Sequence, residues 1–423
     1  MPDSLNTGPL NTGSLNNGPL NNGPLKNVTV LDLSEHIAGP YATKLFADYG
    51  ANVIKVERPM GDPSRRLGPF KDDDSHPEKS GTFFYFNINK RSVVLDLKTG
   101  NGREGFWVLA KKAHVIVESF RPGVMDQLGL GWEEIHERYP ALPLVSVSNF
   151  GQHGPYRDYQ GSDLVLYGFG GEMFSTGMLH REPIKMYGTA ALVQSGSALS
   201  TAIMGTLFAS RNSQRGQHVD FSIADSHLVG VDRRHSAVVG FQYSGRKSLR
   251  AATTAPTGML SGVFECADGW ISIGAGGRRF MGVREFMDHP SWLDDPKWDN
   301  PSIQVDPDAI KEFHSHLLPW LRTKTKREVW EAGRRAKFIC GPLYTVDEVF
   351  SDPVFQERGL WQEASTPEMG EFRFPGRPFL MSATPWEYRR PAPKLGEHTE
   401  EVLAEAGLSP ESVEKITGKA DVL

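Results

Sequence analysis

The sequence predicts an α/β fold, a parallel sheet covered on both faces, followed by a smaller second domain. Three observations carry that expectation. Short apolar runs alternate with helix-like stretches through the first 150 positions. The first strand–helix–strand unit occupies about 30 residues, the length of a parallel crossover. From about Ser226 the alternation stops, and Trp- and Pro-rich sequence with short elements takes over.

The elements follow in order. Val28–Leu33 reads as a buried strand, and His36-Ile37-Ala38-Gly39-Pro40 as a turn in which Pro40 opens a helix running to about Tyr49. Gly50 stops that helix, and Asn52–Glu57 is a second buried strand. A second unit repeats the pattern: strand Ser92–Leu97, helix near Gly102–Lys112, strand Val115–Glu118. Leu144–Val147 is a further strand. Later, Asp268-Gly269 reads as a hairpin turn, Gly274–Gly277 as a loop without a phosphate-binding signature, and a last helix starts near Glu397. The expected organisation is a low-complexity tail over 1–24, a large domain over 25–226, a small domain over 227–365, and a C-terminal segment over 366–423 that returns to the large domain. The tail is built of Asn/Gly/Pro pentads that give little apolar surface, so it is expected to be disordered. The alternative is an arm that orders against a partner.

Composition excludes several function classes. A net charge of -5 gives no electrostatic reason to expect nucleic acid or an anionic membrane as partner. Two cysteines make no disulfide framework and offer no metal-ligand spacing, so a reducing cytoplasm is the expected setting. His153, His218, His235 and His398 also lack ligand spacing, and no metal is expected. No apolar run is read as reaching the roughly 18 residues of a membrane-spanning helix.

A set of motifs then appears in fixed order. L-D-L-S-x-x-I-A-G-P begins at Leu31, G-A-N-V-I-K-V-E at Gly50, N-K-R-S-V-V-L-D-L-K at Asn89 and F-R-P-G-V-M-D-Q-L-G at Phe120. R-G-Q-H-V-D-F-S follows at Arg215, C-G-P at Cys340 and L-G-E-H-T-E-E-V-L at Leu395. Together they resemble the family III CoA-transferases (the CaiB/BaiF type) from about Leu25 to beyond Leu403. The resemblance implies a Rossmann-like large domain, a small domain, and two chains interlocked like links. It also implies that an aspartate attacks an acyl-CoA thioester as the first covalent step.

That aspartate is missing. Gly188–Arg211 contains no Asp or Glu. The nucleophile's position falls at Val193, with Leu192 and Gln194 as the limits of the register, and none of the three can serve. By resemblance, His36, Ile37 and Ala38 would line the pantetheine loop and Arg58 would meet the nucleotide. Leu95 and Lys98 would lie against adenine and phosphates, followed by Ser119 and Phe120. Position 127 is Gln where the family presents a basic residue, and losing one charge-assisted phosphate contact costs about 1.5–3 kcal/mol, so coenzyme A binding should be weakened. Related racemases use a Gly-His-Asp sequence, but here it reads Gly161-Ser162-Asp163, and Asp163 is expected to cap the following helix.

Three functions fit these residues. The first is the non-catalytic subunit of a hetero-oligomeric CoA-transferase, interlocked with a paralogue that keeps the aspartate. It resembles the inactive chain of the succinyl-CoA:benzylsuccinate enzymes, although the residues do not fix the acid. The second is a homodimer using a non-aspartate mechanism, for example with His36 as base. The third is an acyl-CoA-binding regulatory protein.

Overall fold

The computed structural model of the chain describes residues 23–230, 234–250 and 258–417. The pentads up to residue 22 lie outside the described residues. The chain divides into two compact units, the first formed by the chain up to Met173, Lys185–Lys247 and everything from Leu360, the second by Phe174–Ile184 and Ser248–Gly359.

The first unit opens with β1 (Thr29–Leu33), α1 (Ala38–Asp48), β2 (Asn52–Glu57), α2 (Gly81–Asn87), β3 (Arg91–Val94) and α3 (Gly100–Ala110). It continues through β4 (Val115–Glu118), α4 (Val124–Gln127), α5 (Trp132–Arg138), β5 (Leu144–Ser148) and α6 (Asp163–Phe169). α7 (Ala190–Ser213), β6 (His218–Ser222), α8 (Ile223–Gly230) and α9 (Arg234–Ser244) complete this stretch. The six strands are all parallel and ordered β3-β2-β1-β4-β5-β6. Period-two alternation divides their side chains between two cores. Leu31, Leu33, Ile54, Ile116 and Leu144 meet Phe106, Leu109 and Ile135 of α3 and α5. Val30, Val53, Val115, Val117 and Val145 meet Ala42 and Phe46 of α1 and Leu199 and Ile203 of α7.

In the second unit β7 (Ser261–Cys266), β8 (Gly269–Gly274) and β9 (Ile339–Leu343) form an antiparallel sheet. Around it lie α10 (Val283–Phe286), α11 (Pro307–Arg322), α12 (Lys326–Arg335), α13 (Val346–Ser351) and α14 (Pro353–Glu357). Phe313, Leu317, Leu321 and Val329 fill its core. Back in the first unit, β10 (Trp361–Thr366) and β11 (Gly370–Pro375) make a hairpin. Val402 and Leu403 of α15 (Thr399–Glu405) and Val413 of α16 (Pro410–Thr417) join the core beneath α3.

Three sequence expectations need correction. α1 begins at Ala38, with Ile37 as its cap and Pro40 in its first turn, where a missing N–H costs nothing. β3 stops at Val94, because Asp96 turns the chain into the Thr99-capped α3. α7 is long and apolar enough to cross a membrane by length and composition, because its Ser, Thr and Gly carry no charge. It is packed along α1, with Leu199 and Ile203 fully buried.

Beneath the carboxyl ends of β1–β3 lies a group of buried charges. The Asp32 carboxylate accepts from Lys90 Nζ at 2.9 Å, from the Thr43 hydroxyl at 2.7 Å and from Ser34. Lys55 pairs with Asp62 at 2.7 Å, and Arg65 grips Glu57 through two bonds of 2.8 Å. Burial disfavours the Asp32 carboxylate, but Lys90, Lys55 and the two hydroxyls outweigh it and hold its pKa at about 2. Removing one partner of such a pair strands a charge, at about 3–5 kcal/mol. Lys90→Met should therefore lower the thermal midpoint sharply, and Asp32→Asn combined with Lys90→Met should restore much of the loss. Because Asp32 titrates below the ordinary 3.8, its contribution is present above about pH 4 and fades as pH falls through about 2. Asp32→Asn should accordingly flatten the acid limb of a Tm-versus-pH curve.

Candidate active site

In a doubly wound sheet of this order, the chain leaves β1 and β4 toward opposite sides, which opens a crevice at their carboxyl ends. The β1–α1 loop forms one wall. Ser34 N donates to Asp32 Oδ1 at 3.0 Å, Lys55 Nζ donates to the Ser34 carbonyl at 2.9 Å, and His36 N donates to Asp62 Oδ1 at 3.2 Å. The buried charges thus fix this loop by its backbone. His36 sits at φ 68°, a left-handed conformation uncommon for a residue with a side chain. A Cβ on Gly39 would collide with Ser34, so the turn into α1 is as tight as the backbone allows. His36 is exposed, whereas the Ile37 and Ala38 side chains are buried, so those two offer only backbone to the crevice.

Ser119 and Phe120 follow β4 and form the opposite wall. The Ser119 hydroxyl accepts from Glu35 N at 2.8 Å and ties the two walls together. Arg58, at the end of β2, points Nε toward Glu35 at 3.4 Å and toward the Gly61 carbonyl at 3.1 Å. Burial raises the Glu35 pKa, and Arg58 offsets only part of that rise. Leu95 and Lys98 lie beyond β3, two strands from β1. Leu95 is core, only 1% exposed, while the exposed Lys98 ammonium has no hydrogen-bond or ion-pair partner among the described residues. Gln127 is exposed on α4.

α7 brings in the remaining candidates. At Gly196 it crosses the start of α1 so closely that a Cβ would stand 2.7 Å from the Ala38 carbonyl oxygen. Leu192, Val193 and Gln194 occupy the turn before that crossing. Leu192 packs on the α1 core, Val193 is half-buried and Gln194 exposed. Thr189, the α7 cap, borders an apolar cleft of about 580 Å³ lined chiefly by Phe70, Phe84, Tyr85, Phe86, Phe372 and Phe374. The carbon side chains at 192 and 193 and the amide at 194 cannot form an anhydride with a thioester.

Asp163 does not cap α6. Ser162 does, accepting from Val165 N at 3.4 Å, and the Asp163 carboxylate pairs with Lys185 at 2.7 Å. The shorter Ser side chain reaches the turn while the carboxylate finds a cation. Among the described residues no group of three or more His, Cys, Asp or Glu side chains could hold a metal ion.

Several site residues escaped the sequence reading. Glu35 and Gly196 carry no signal of their own in one sequence. Glu118 does carry one, a charged residue ending the apolar run Val115–Val117.

The family model of CoA-transferase family III matches residues 25–399. The BbsE subunit of succinyl-CoA:(R)-benzylsuccinate CoA-transferase from Thauera aromatica is 30% identical over 89% of this chain and 93% of its own. The succinate–glutarate CoA-transferase of Agrobacterium fabrum is 31% identical over 89% of this chain and 94% of its own. A CaiB/BaiF family protein from Brucella suis superposes with a TM-score of 0.79 at 28% identity, covering 91% of this chain and 99% of the other.

The Gly196 crossing yields a paired expectation. Gly196→Ala should destabilise the protein by about 1–3 kcal/mol through overpacking against Ala38. Gly205→Ala, on the same helix with nothing within 4 Å, should stabilise it by about 0.5–1 kcal/mol. Thermal denaturation of both variants checks this, and equal shifts would contradict the close approach.

Proposed function

The chain belongs to CoA-transferase family III, and from that premise we propose that it is the non-catalytic subunit of a hetero-oligomeric CoA-transferase. The observation that carries the reading is α7: its start lies one turn from the Ala38 crossing, and its whole length holds no Asp or Glu. A scaffold with intact crevice walls and no nucleophile is what a chain kept for assembly would retain. The partner is a paralogue bearing the aspartate, interlocked with this chain. Exposed apolar side chains on α8 and α9 support such a cover, with Val229 72% and Tyr243 86% exposed, together with Leu228, Val238, Val239 and Phe241.

One relative is a subunit of a succinyl-CoA:(R)-benzylsuccinate CoA-transferase and another a succinate–glutarate CoA-transferase. The proposed reaction of the complex is therefore transfer of coenzyme A from succinyl-CoA to an organic acid. Benzylsuccinate is the proposed acceptor, and the aromatic lining of the cleft beside Thr189 suits a phenyl group. Coenzyme A is substrate here, with Lys98 and Arg58 as the proposed phosphate contacts of this chain.

Mass spectrometry of the purified chain with succinyl-CoA tests the reading. The wild-type chain alone should form no covalent acyl or CoA adduct and should not turn over. A carboxylate introduced as Leu192→Asp, Val193→Asp or Gln194→Asp should gain an adduct in at least one register. Turnover by the unaltered chain alone would overturn the proposal.

A further inference from the structure

On the sheet face that carries α3 to α5, three polar side chains sit on adjacent strands where the core would otherwise be hydrocarbon. Glu118 ends β4 and is registered with Ser146 of β5, and the two carboxyl-side positions share one face. Ser146 stands directly across from Glu118 in the strand register, and its hydroxyl lies 2.9 Å from Nε2 of His218 on β6. His218 in turn stacks on Trp132, ring centroids 5.9 Å apart and 18° from parallel. A carboxyl, a hydroxyl and an imidazole are therefore set side by side on adjacent strands, from a carboxyl group 3% exposed to an imidazole at the surface.

Glu118 differs from the other acids of the buried group. Asp32, Glu57 and Asp62 each have a lysine or arginine partner, whereas Glu118 has no cationic partner among the described residues. Phe120 N donates to Glu118 Oε2 at 2.7 Å, and Ser146 faces the carboxyl group from the neighbouring strand. The bond from Phe120 matters for the crevice. It closes the Glu118–Phe120 turn, and the Ser119 hydroxyl in that turn holds Glu35 N, beside His36.

We propose that Glu118, Ser146 and His218 form a proton relay, and that Glu118 is a positioning residue whose protonation sets the geometry of the 119–120 and 35–36 walls of the crevice. The step balances within the three groups. The Glu118 proton passes to Ser146 Oγ as the Ser146 proton passes to His218 Nε2, leaving carboxylate and imidazolium with the hydroxyl reformed between them. The ionised carboxylate is the stronger acceptor for Phe120 N–H. The significance for coenzyme A rests on the reading of the crevice given above; the relay itself does not.

Burial raises the Glu118 pKa to about 7; the bonds from Ser146 and Phe120 offset this in part, and Asp126 of α4 adds to the rise. Burial lowers that of His218, against Asp220 of β6, Asp126 of α4 and Glu133 of α5, with His153 acting in the same direction as burial. The two shifts have opposite directions, and the titrations of the neighbouring groups should be coupled.

Nuclear magnetic resonance of the full-length protein across pH 5–9 tests this with two probes, the His218 imidazole nitrogens and the Phe120 amide. In the wild type the Phe120 amide should show an inflection near pH 7, and the His218 nitrogens should report the same event beside their own titration. Glu118→Gln should abolish it at Phe120 and leave His218 with a single inflection of its own. Ser146→Ala should move the Phe120 inflection to higher pH, since a bond to the ionised carboxylate is lost, and should uncouple His218. A Phe120 amide unmoved by pH, or a His218 titration identical in wild type and Glu118→Gln, would overturn the relay. Coenzyme A affinity of the assembled complex, measured over the same range, should change with the Phe120 inflection and lose that change in Glu118→Gln. No binding at any pH would overturn the crevice reading, while the two resonances would still decide the relay.

Discussion

The Asp32 carboxylate stands where β1 ends and receives Lys90, Thr43 and Ser34 at once. The shape of the crevice depends on that cluster. It fixes the first residues after β1 through backbone bonds, and Lys55 and Asp62 extend the same fixing to Ser34 and His36. Buried charges of this kind seldom add net stability over a hydrocarbon replacement. Here they do something a hydrocarbon could not, since only directional bonds hold a loop in a left-handed backbone conformation at His36. The scaffold for a ligand is thus present irrespective of what happens on α7.

α7 is where the scaffold and the chemistry separate. Its approach to α1 through Gly196 sets the first turns of α7 against the start of α1, just after the β1–α1 loop. The side chains delivered there are Leu192, Val193 and Gln194, which pack or face outward and have no reactive oxygen. A chain that had lost all function would have no reason to keep the tight crossing, the tied walls and the apolar cleft together. An assembly in which one chain supplies structure and another supplies the carboxylate accounts for all of them.

Much of this was legible in the sequence, and the exceptions have physical causes. Buried parallel strands announce themselves as apolar runs, so β2 and β4 fall where the residues put them. β6 shows in the sequence as a motif and not as a strand, because His218 and Asp220 alternate with Val219 and Phe221 on an edge strand and dilute its apolar signal. The two units are not contiguous in sequence, since Phe174–Ile184 joins the second unit, and no local composition reports that. The missing aspartate needed only the motif order. The link between Glu35 and the turn after Glu118 needed the sheet register, because a pairing between loops after β1 and β4 leaves no trace in local sequence.

On the function proposed above, this chain is completed by another. Native mass spectrometry of the complex purified from the cells that make it tests that claim most directly. This chain is expected in stable association with a second, unlike family III chain that carries an aspartate on the equivalent helix. A homo-oligomer of this chain alone that moves coenzyme A between acids would contradict it, and would require chemistry at the crevice that α7 cannot supply.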